Sequence, residues 1–231
     1  MIRWLLLGAL LLGVVPPAAG SEPRLLMSWR APYGTPGARD NVDQTCDTTL
    51  VDTLYLSVDP GRAADHFLGV SATLYFHAPE GQGLTDFWKI ADVHSADSPL
   101  KVVYSPDPAR GFVMAWNAQG VGDAQYDYVG SSGRLRLIYA IASSGTNPVR
   151  PGKVYGVARV LLRHPGSGGD GCERPMCVEW HAASLAFGPL GEPMVNRGVR
   201  WVSINSPGAK VCDPVRDILP HPAWHPKTAK P

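Results

Sequence analysis

Between Gly133 and His164 apolar and polar residues alternate, and no other stretch restricts the fold as much. It reads GRLRLIYAIASSGTNPVRPGKVYGVARVLLRH. Leu135, Leu137, Tyr139 and Ile141 alternate with Arg136, Ile138 and Ala140. A period of two predicts a strand with one face more buried than the other. In a second strand Val154, Gly156, Ala158, Val160 and Leu162 share one side, and Tyr155, Val157, Arg159, Leu161 and Arg163 the other. Between them Ser143 to Gly152 carries Ser-Ser-Gly-Thr-Asn-Pro and Arg-Pro-Gly, which is turn chemistry. The pattern predicts an antiparallel hairpin. An isolated hairpin is unstable in water, so the remaining chain must supply a second layer.

Further strands are expected at Arg24–Ala31, Leu50–Val58, Phe67–His77, Leu100–Tyr104, Phe112–Trp116, Met176–Phe187 and Val199–Ile204. Leu84–Asp92 fits either a short helix or an irregular strand. Pro32–Thr49 and Gly120–Gly133 read as loops, and the glycine-rich Pro165–Cys172 as a mobile surface loop. Glycine (25) and proline (22) are abundant beside 45% apolar residues, which means many turns between strands rather than disorder. The expected fold is all-β: a jelly-roll or immunoglobulin-like antiparallel β-sandwich of about nine strands. A closed barrel is the next option.

Residues 1–20 read as a signal peptide, with Arg3 before an apolar run and Ala18-Ala19-Gly20 as the cleavage site. The run is too short for a comfortable membrane span. The expected organisation is a single sandwich domain over 21–219 and a proline-rich tail over 220–231. The product would be secreted, extracellular or periplasmic, with no membrane insertion after cleavage. Without Arg3 the basic residues equal the 20 acidic ones, so no attraction to nucleic acid or anionic membranes is expected. Four cysteines in an exported chain read as two disulfides. Of the three pairings, Cys172–Cys177 and Cys46–Cys212 are favoured, the first closing a small loop and the second tying an early loop to the C-terminal segment. A zinc site is the rival, but the Cys172–Cys177 spacing is loose for one.

Catalytic signatures are missing: no G-x-S-x-G, H-E-x-x-H, P-loop or G-x-G-x-x-G occurs. Gly130-Ser131-Ser132-Gly133 reads as a plain turn. Asp123 and Asp127, with Glu179, are the carboxylates a glycosidase would draw on, though loop aspartates more often solvate or cap turns. His221 and His225 are spaced as a helical metal pair, but Pro222 and Pro226 forbid that helix. His77, His94, His164 and His181 are scattered, and His181 reads as a satisfied sheet histidine. No metal or cofactor is expected. Trp88, Trp116, Tyr126 and Tyr128 are the rings that could stack on a sugar, with core burial as the competing explanation for each.

From Tyr104 to Phe187 a strand ending Val-Tyr-Ser-Pro-Asp is followed by a segment through Trp116-Asn117. Next come Gly-Arg-Leu-Arg-Leu-Ile-Tyr-Ala, a polar turn, Gly-Lys-Val-Tyr-Gly-Val-Ala-Arg-Val-Leu-Leu, and the strand Val178–Phe187. This order resembles cohesin-like modules, whose jelly-roll sandwich is related to that of some cellulose-binding modules. The pair Leu54–Phe76 matches the opening strands of such a domain. The resemblance implies an exported, non-catalytic binding module that recognises a protein partner, dockerin-like in a cohesin, or a polysaccharide. The alternatives are a jelly-roll glycoside hydrolase using loop carboxylates and a structural cell-envelope protein.

Overall fold

A computed structural model describes residues 22–46, 49–79, 81–88, 98–116, 121–129, 134–143, 146–164, 171–188, 200–206 and 212, with the backbone alone over 191–196. Residues 1–20, read as a signal peptide, residues 220–231, read as a tail, residues 130–133 and 165–170, and His94, His221 and His225 lie outside the described residues.

The strands are β1 (Arg24–Trp29), β2 (Asn41–Val42), β3 (Val51–Asp59), β4 (Phe67–His77), β5 (Leu100–Val103), β6 (Val121–Tyr128), β7 (Arg134–Ala142), β8 (Tyr155–Arg163), β9 (Met176–Phe187), β10 (Gly191–Asn196) and β11 (Arg200–Ile204). One sheet has the order β1-β3-β8-β5; the other runs β2-β11-β9-β4-β7-β6, with β10 also paired to β9. All pairings are antiparallel except β2–β11. The inner faces of both sheets merge into one core, with Met27, Leu54, Leu56, Val160 and Leu162 from the smaller sheet. Leu74, Phe76, Leu137, Tyr139 and Trp180 come from the larger. The protein is an antiparallel β-sandwich.

The alternating faces are where the sequence places them. Leu135, Leu137, Tyr139 and Ile141 are buried while Ala140 and Ala142 are exposed. The hairpin is not. β7 pairs with β4 and β6 in the larger sheet, and β8 with β3 and β5 in the smaller. A hairpin loop has two to five residues. The connection from Ser143 to Val154 is longer, holds Pro148 and Pro151, and crosses from one sheet to the other. It is pinned on the way. Val149 and Ala64 exchange backbone hydrogen bonds at 2.7 and 3.0 Å, and the Asn147 side chain donates to the Phe67 carbonyl at 3.1 Å.

Several segments differ from expectation: Asn41–Val42, inside the expected loop Pro32–Thr49, is β2, and β10 was not expected. Val121–Tyr128, read as a loop, is β6, because Ala124 and Tyr126 alternate inward against exposed Asp123 and Gln125. Phe112–Trp116, read as a strand, is a covering segment with a single parallel bridge from Met114 to Gly156. Its Phe112 lies so close over Gly156 that a Cβ there would sit 2.5 Å from the ring. Within 84–92 a short 3-10 turn, Asp86–Trp88, inserts Trp88 into the core.

The disulfides are Cys46–Cys172 and Cys177–Cys212, not the favoured pairing. Cys177 belongs to β9 and sits opposite Ser203 of β11, on the outward side of the sheet, where Cys212 meets it. Cys172 precedes the strand and is held beside the 44–46 segment. Asn205 bridges the two, its amide donating to the Cys172 carbonyl at 3.1 Å and its side-chain oxygen accepting from the Gln44 N–H at 2.6 Å. Stable disulfides belong to an oxidising compartment. No helix among the described residues is long and apolar enough to cross a membrane.

Candidate functional site

The outer face of the larger sheet carries the densest polar chemistry among the described residues. Adjacent strands place Trp201 (β11), Glu179 (β9), Tyr75 (β4), Arg136 (β7) and Asp127 (β6) in one cross-strand row. The register of β4 on β9 slips between Thr73 and Leu74. Trp180 and Ala183 both remain buried on the core side, so the intervening His181 and Ala182 both face outward. Glu179 and His181, two apart on β9, share that face by ordinary alternation, and the bulge adds Ala182 to it.

Glu179 is fully buried and bridges two imidazoles. His77 Nε2 donates to Oε2 and His181 Nδ1 to Oε1, each at 2.9 Å. Burial pushes the Glu179 carboxyl up, but the hydrogen bonds and charges of His181 and His77 outweigh it and hold it at about 2. An ionised carboxylate only accepts, so both facing nitrogens carry their protons. Tyr75 packs edge-on to His181 at 5.2 Å and tilted to His77 at 5.7 Å, closing over the carboxylate. Along the row Arg136 pairs with Asp127. Beyond this end the face opens: Ser71, Ala140, Ala142, Asp123 and Gln125 are exposed.

A second polar cluster fastens the covering segment to the smaller sheet. The Tyr55 hydroxyl donates to Asp107 at 2.7 Å, Arg159 reaches Asp107 at 3.3 Å, and the same guanidinium donates to Ser105 at 2.9 Å. Burial and the Asp107 carboxylate push the Tyr55 phenol up to about 12, so it stays a donor. His164 donates to Asp52 at 2.8 Å, and Arg30 reaches the other oxygen of Asp52 at 3.0 Å.

The sugar-stacking candidates are not brought together. Trp88 is 0% exposed and packs on Phe76 and Phe87; Trp116 is 4% exposed and stacks on Phe67 at 6.1 Å. Tyr126 packs against the core, and Tyr128 alone is exposed. The indoles lie inside against other aromatic rings, and nothing local in the sequence separates that use from a surface platform. The carboxylates do not pair across a cleft. Asp123 and Asp127 lie on one face of one strand, four residues and thus about 13 Å apart along it. Glu179 is committed to its two histidines. No group of three or more His, Cys, Asp or Glu that could hold a metal occurs among the described residues. The expectation of His181 as a satisfied sheet histidine holds. The spacing of two between Glu179 and His181 on an expected strand was a signal for their contact, whereas the approach of His77 is set by the pairing of β4 with β9 and had none.

No family model and no curated protein matches the chain. Solved structures do. One is AvmM, which catalyses macrocyclization in alchivemycin A biosynthesis, at 12% identity and a TM-score of 0.36, covering 78% of this chain and 87% of that one. Another is a cohesin in the Coh-OlpC–Doc435 type I cohesin–dockerin complex from Clostridium thermocellum, at 10% identity and a TM-score of 0.34, covering 82% of this chain and 97% of that one. The second belongs to the family that the segment from Tyr104 to Phe187 resembles. Likenesses this distant bring no ligand, partner or reaction with them.

Proposed function

We propose that this chain is an exported, non-catalytic binding module that recognises a protein partner through the outer face of its larger sheet. The observation that carries the reading is the inward placement of Trp88 and Trp116, which takes both indole candidates away from a polysaccharide platform. The open part of the sheet face is instead mixed: small residues such as Ser71 and Ala140 beside polar Asp123 and Gln125, with Tyr75 and His181 at its edge. Such a surface suits close approach of another backbone. A hydrolase is disfavoured by the spacing of Asp123 and Asp127 and by the low protonation range of Glu179, which is no general acid near neutrality. A purely structural envelope role would favour one broad apolar patch. Among the described residues the exposed large apolar side chains fall on several segments, with Leu50 and Val51 the one adjacent pair.

The test immobilises the protein and offers envelope proteins from the same cells and a glycan panel. The expected result is a retained protein that the Ala140→Arg variant releases, with no glycan bound. Saturable glycan binding that survives Ala140→Arg, with no protein retained, would overturn the reading.

A further inference from the structure

The covering segment reaches only one end of the smaller sheet. Phe112 lies over Gly156, and Asp107 takes Tyr55 and Arg159. The next rows of that outer face have no such cover among the described residues. Thr53 of β3, Leu161 of β8 and Lys101 of β5 stand side by side, and Val51 of β3 lies opposite Arg163 of β8. All five are exposed or half-buried, while Leu54, Val160 and Leu162, which alternate with them, are buried on the core side.

Charge is uneven on this surface. Leu161 has Lys101 across from it and Arg159 and Arg163 on either side along β8, each about 7 Å away by the rise of a strand. Arg110 of the covering segment adds a fourth cation: its guanidinium donates to the Arg30 carbonyl, and the Arg30 N–H donates to the Thr53 carbonyl at 2.8 Å. These rows hold no carboxylate of their own. Asp107, from the covering segment, is already paired with Arg159, and Asp52 alternates inward to His164 and Arg30. Lysine and arginine number 21 against 20 aspartate and glutamate in the whole chain, so the surplus here is a matter of placement. Beside the cations lie apolar groups: Leu161, and the adjacent Leu50 and Val51, which are 63% and 49% exposed.

We propose that this uncovered end of the smaller sheet docks an acidic segment of a partner protein, one in which aspartate or glutamate flanks an apolar residue. The apolar residue covers Leu161 and Val51, and the carboxylates reach Lys101 and Arg163. Val51, Thr53, Leu161 and Lys101 give a sugar no ring to stack on, which favours a peptide over an acidic polysaccharide. Two copies of this surface facing each other would set cation against cation. The inference stands whether or not the outer face of the larger sheet binds a partner.

The full chain is titrated against the fluorescein-labelled peptide Glu-Glu-Leu-Glu-Glu-Leu-Glu-Glu, with the same peptide carrying lysine for glutamate as control, and read by anisotropy. The glutamate peptide saturates and weakens as salt rises; the lysine peptide does not bind. Lys101→Glu weakens binding a few-fold, and Lys101→Glu with Arg163→Glu roughly tenfold or more. The single variant, at an exposed side chain, decides the matter if the double one fails to fold. Arg174→Glu makes the same charge change at an exposed residue before β9 and leaves binding within about twofold, as does Ala140→Arg on the larger sheet. Equal binding of both peptides, binding unchanged by Lys101→Glu, a loss as large in Arg174→Glu, or no saturable binding overturns the proposal. So does heparin bound in place of the peptide and released by the same variants, which would make an acidic glycan the occupant.

Discussion

At the scale of single residues, Glu179 has the largest measurable consequence. Its folded value of about 2 lies below the ordinary 4.5, so its stabilisation is fully present above pH 4.5 and is lost as pH falls toward 2. The shift corresponds to roughly 3 kcal/mol. Urea unfolding at a series of pH values should show that loss in the wild type and a much flatter dependence in Glu179→Gln. At pH 7 the variant should be less stable by about 3 kcal/mol, because it sets an amide against two imidazole N–H donors. A variant as stable as the wild type would mean that the histidines do not depend on the carboxylate. Trp88→Ala should cost about 3–5 kcal/mol by emptying the core beside Phe76, and should leave partner capture intact in the folded fraction.

At the scale of elements, the decisive feature is the crossing from β7 to β8. The segment stays in place through Asn147, 3% exposed, and the Val149–Ala64 pair. Asn147→Ala should lower stability by about 1–3 kcal/mol in thermal or denaturant melts, since it leaves the buried Phe67 carbonyl without its side-chain donor. The disulfides act on the same scale. Peptide mapping of the unreduced protein should recover the linkages 46–172 and 177–212; a 172–177 linkage would contradict the fold. The Cys46–Cys172 bridge spans a sequence separation of 126 and fastens the segment before β3 to the entry of β9. Removing it with paired serines should cost roughly 2–5 kcal/mol.

At the scale of the whole molecule, both sheets share one core, and the covering segment from Ser105 to Trp116 closes one end of the outer side of the smaller sheet through Phe112, Tyr55 and Arg159. Among the described residues no such cover lies over Ser71 and Ala140 on the outer side of the larger sheet. The asymmetry makes that face the place for a partner, and Gly156→Ala offers a control. It should displace Phe112 and destabilise the molecule by about 1–3 kcal/mol, while a partner on the opposite outer face is still retained by the folded fraction.

What the sequence determined by itself was periodicity. The in-out assignment of Leu135 to Ile141, of Val70 to Phe76 and of Val160 to Leu162 follows from a repeat of two against a single core, and with it the all-β class and the need for two layers. Strand β6 escaped because its inward positions are only Gly122, Ala124, Tyr126 and Tyr128, a weak apolar stripe. Partnership was decided by the tertiary structure. Which strand pairs with β7, which cysteine meets Cys177 and which residues surround Glu179 all depend on contacts between segments far apart in the chain. Local composition is the same for a hairpin and for a crossing, and for a free thiol neighbour and a bonded one. Glu179 and His181 share a face by their spacing of two, but His77 reaches them only through the pairing of β4 with β9, and Trp88 and Trp116 are buried by contacts with Phe76 and Phe67 of another segment.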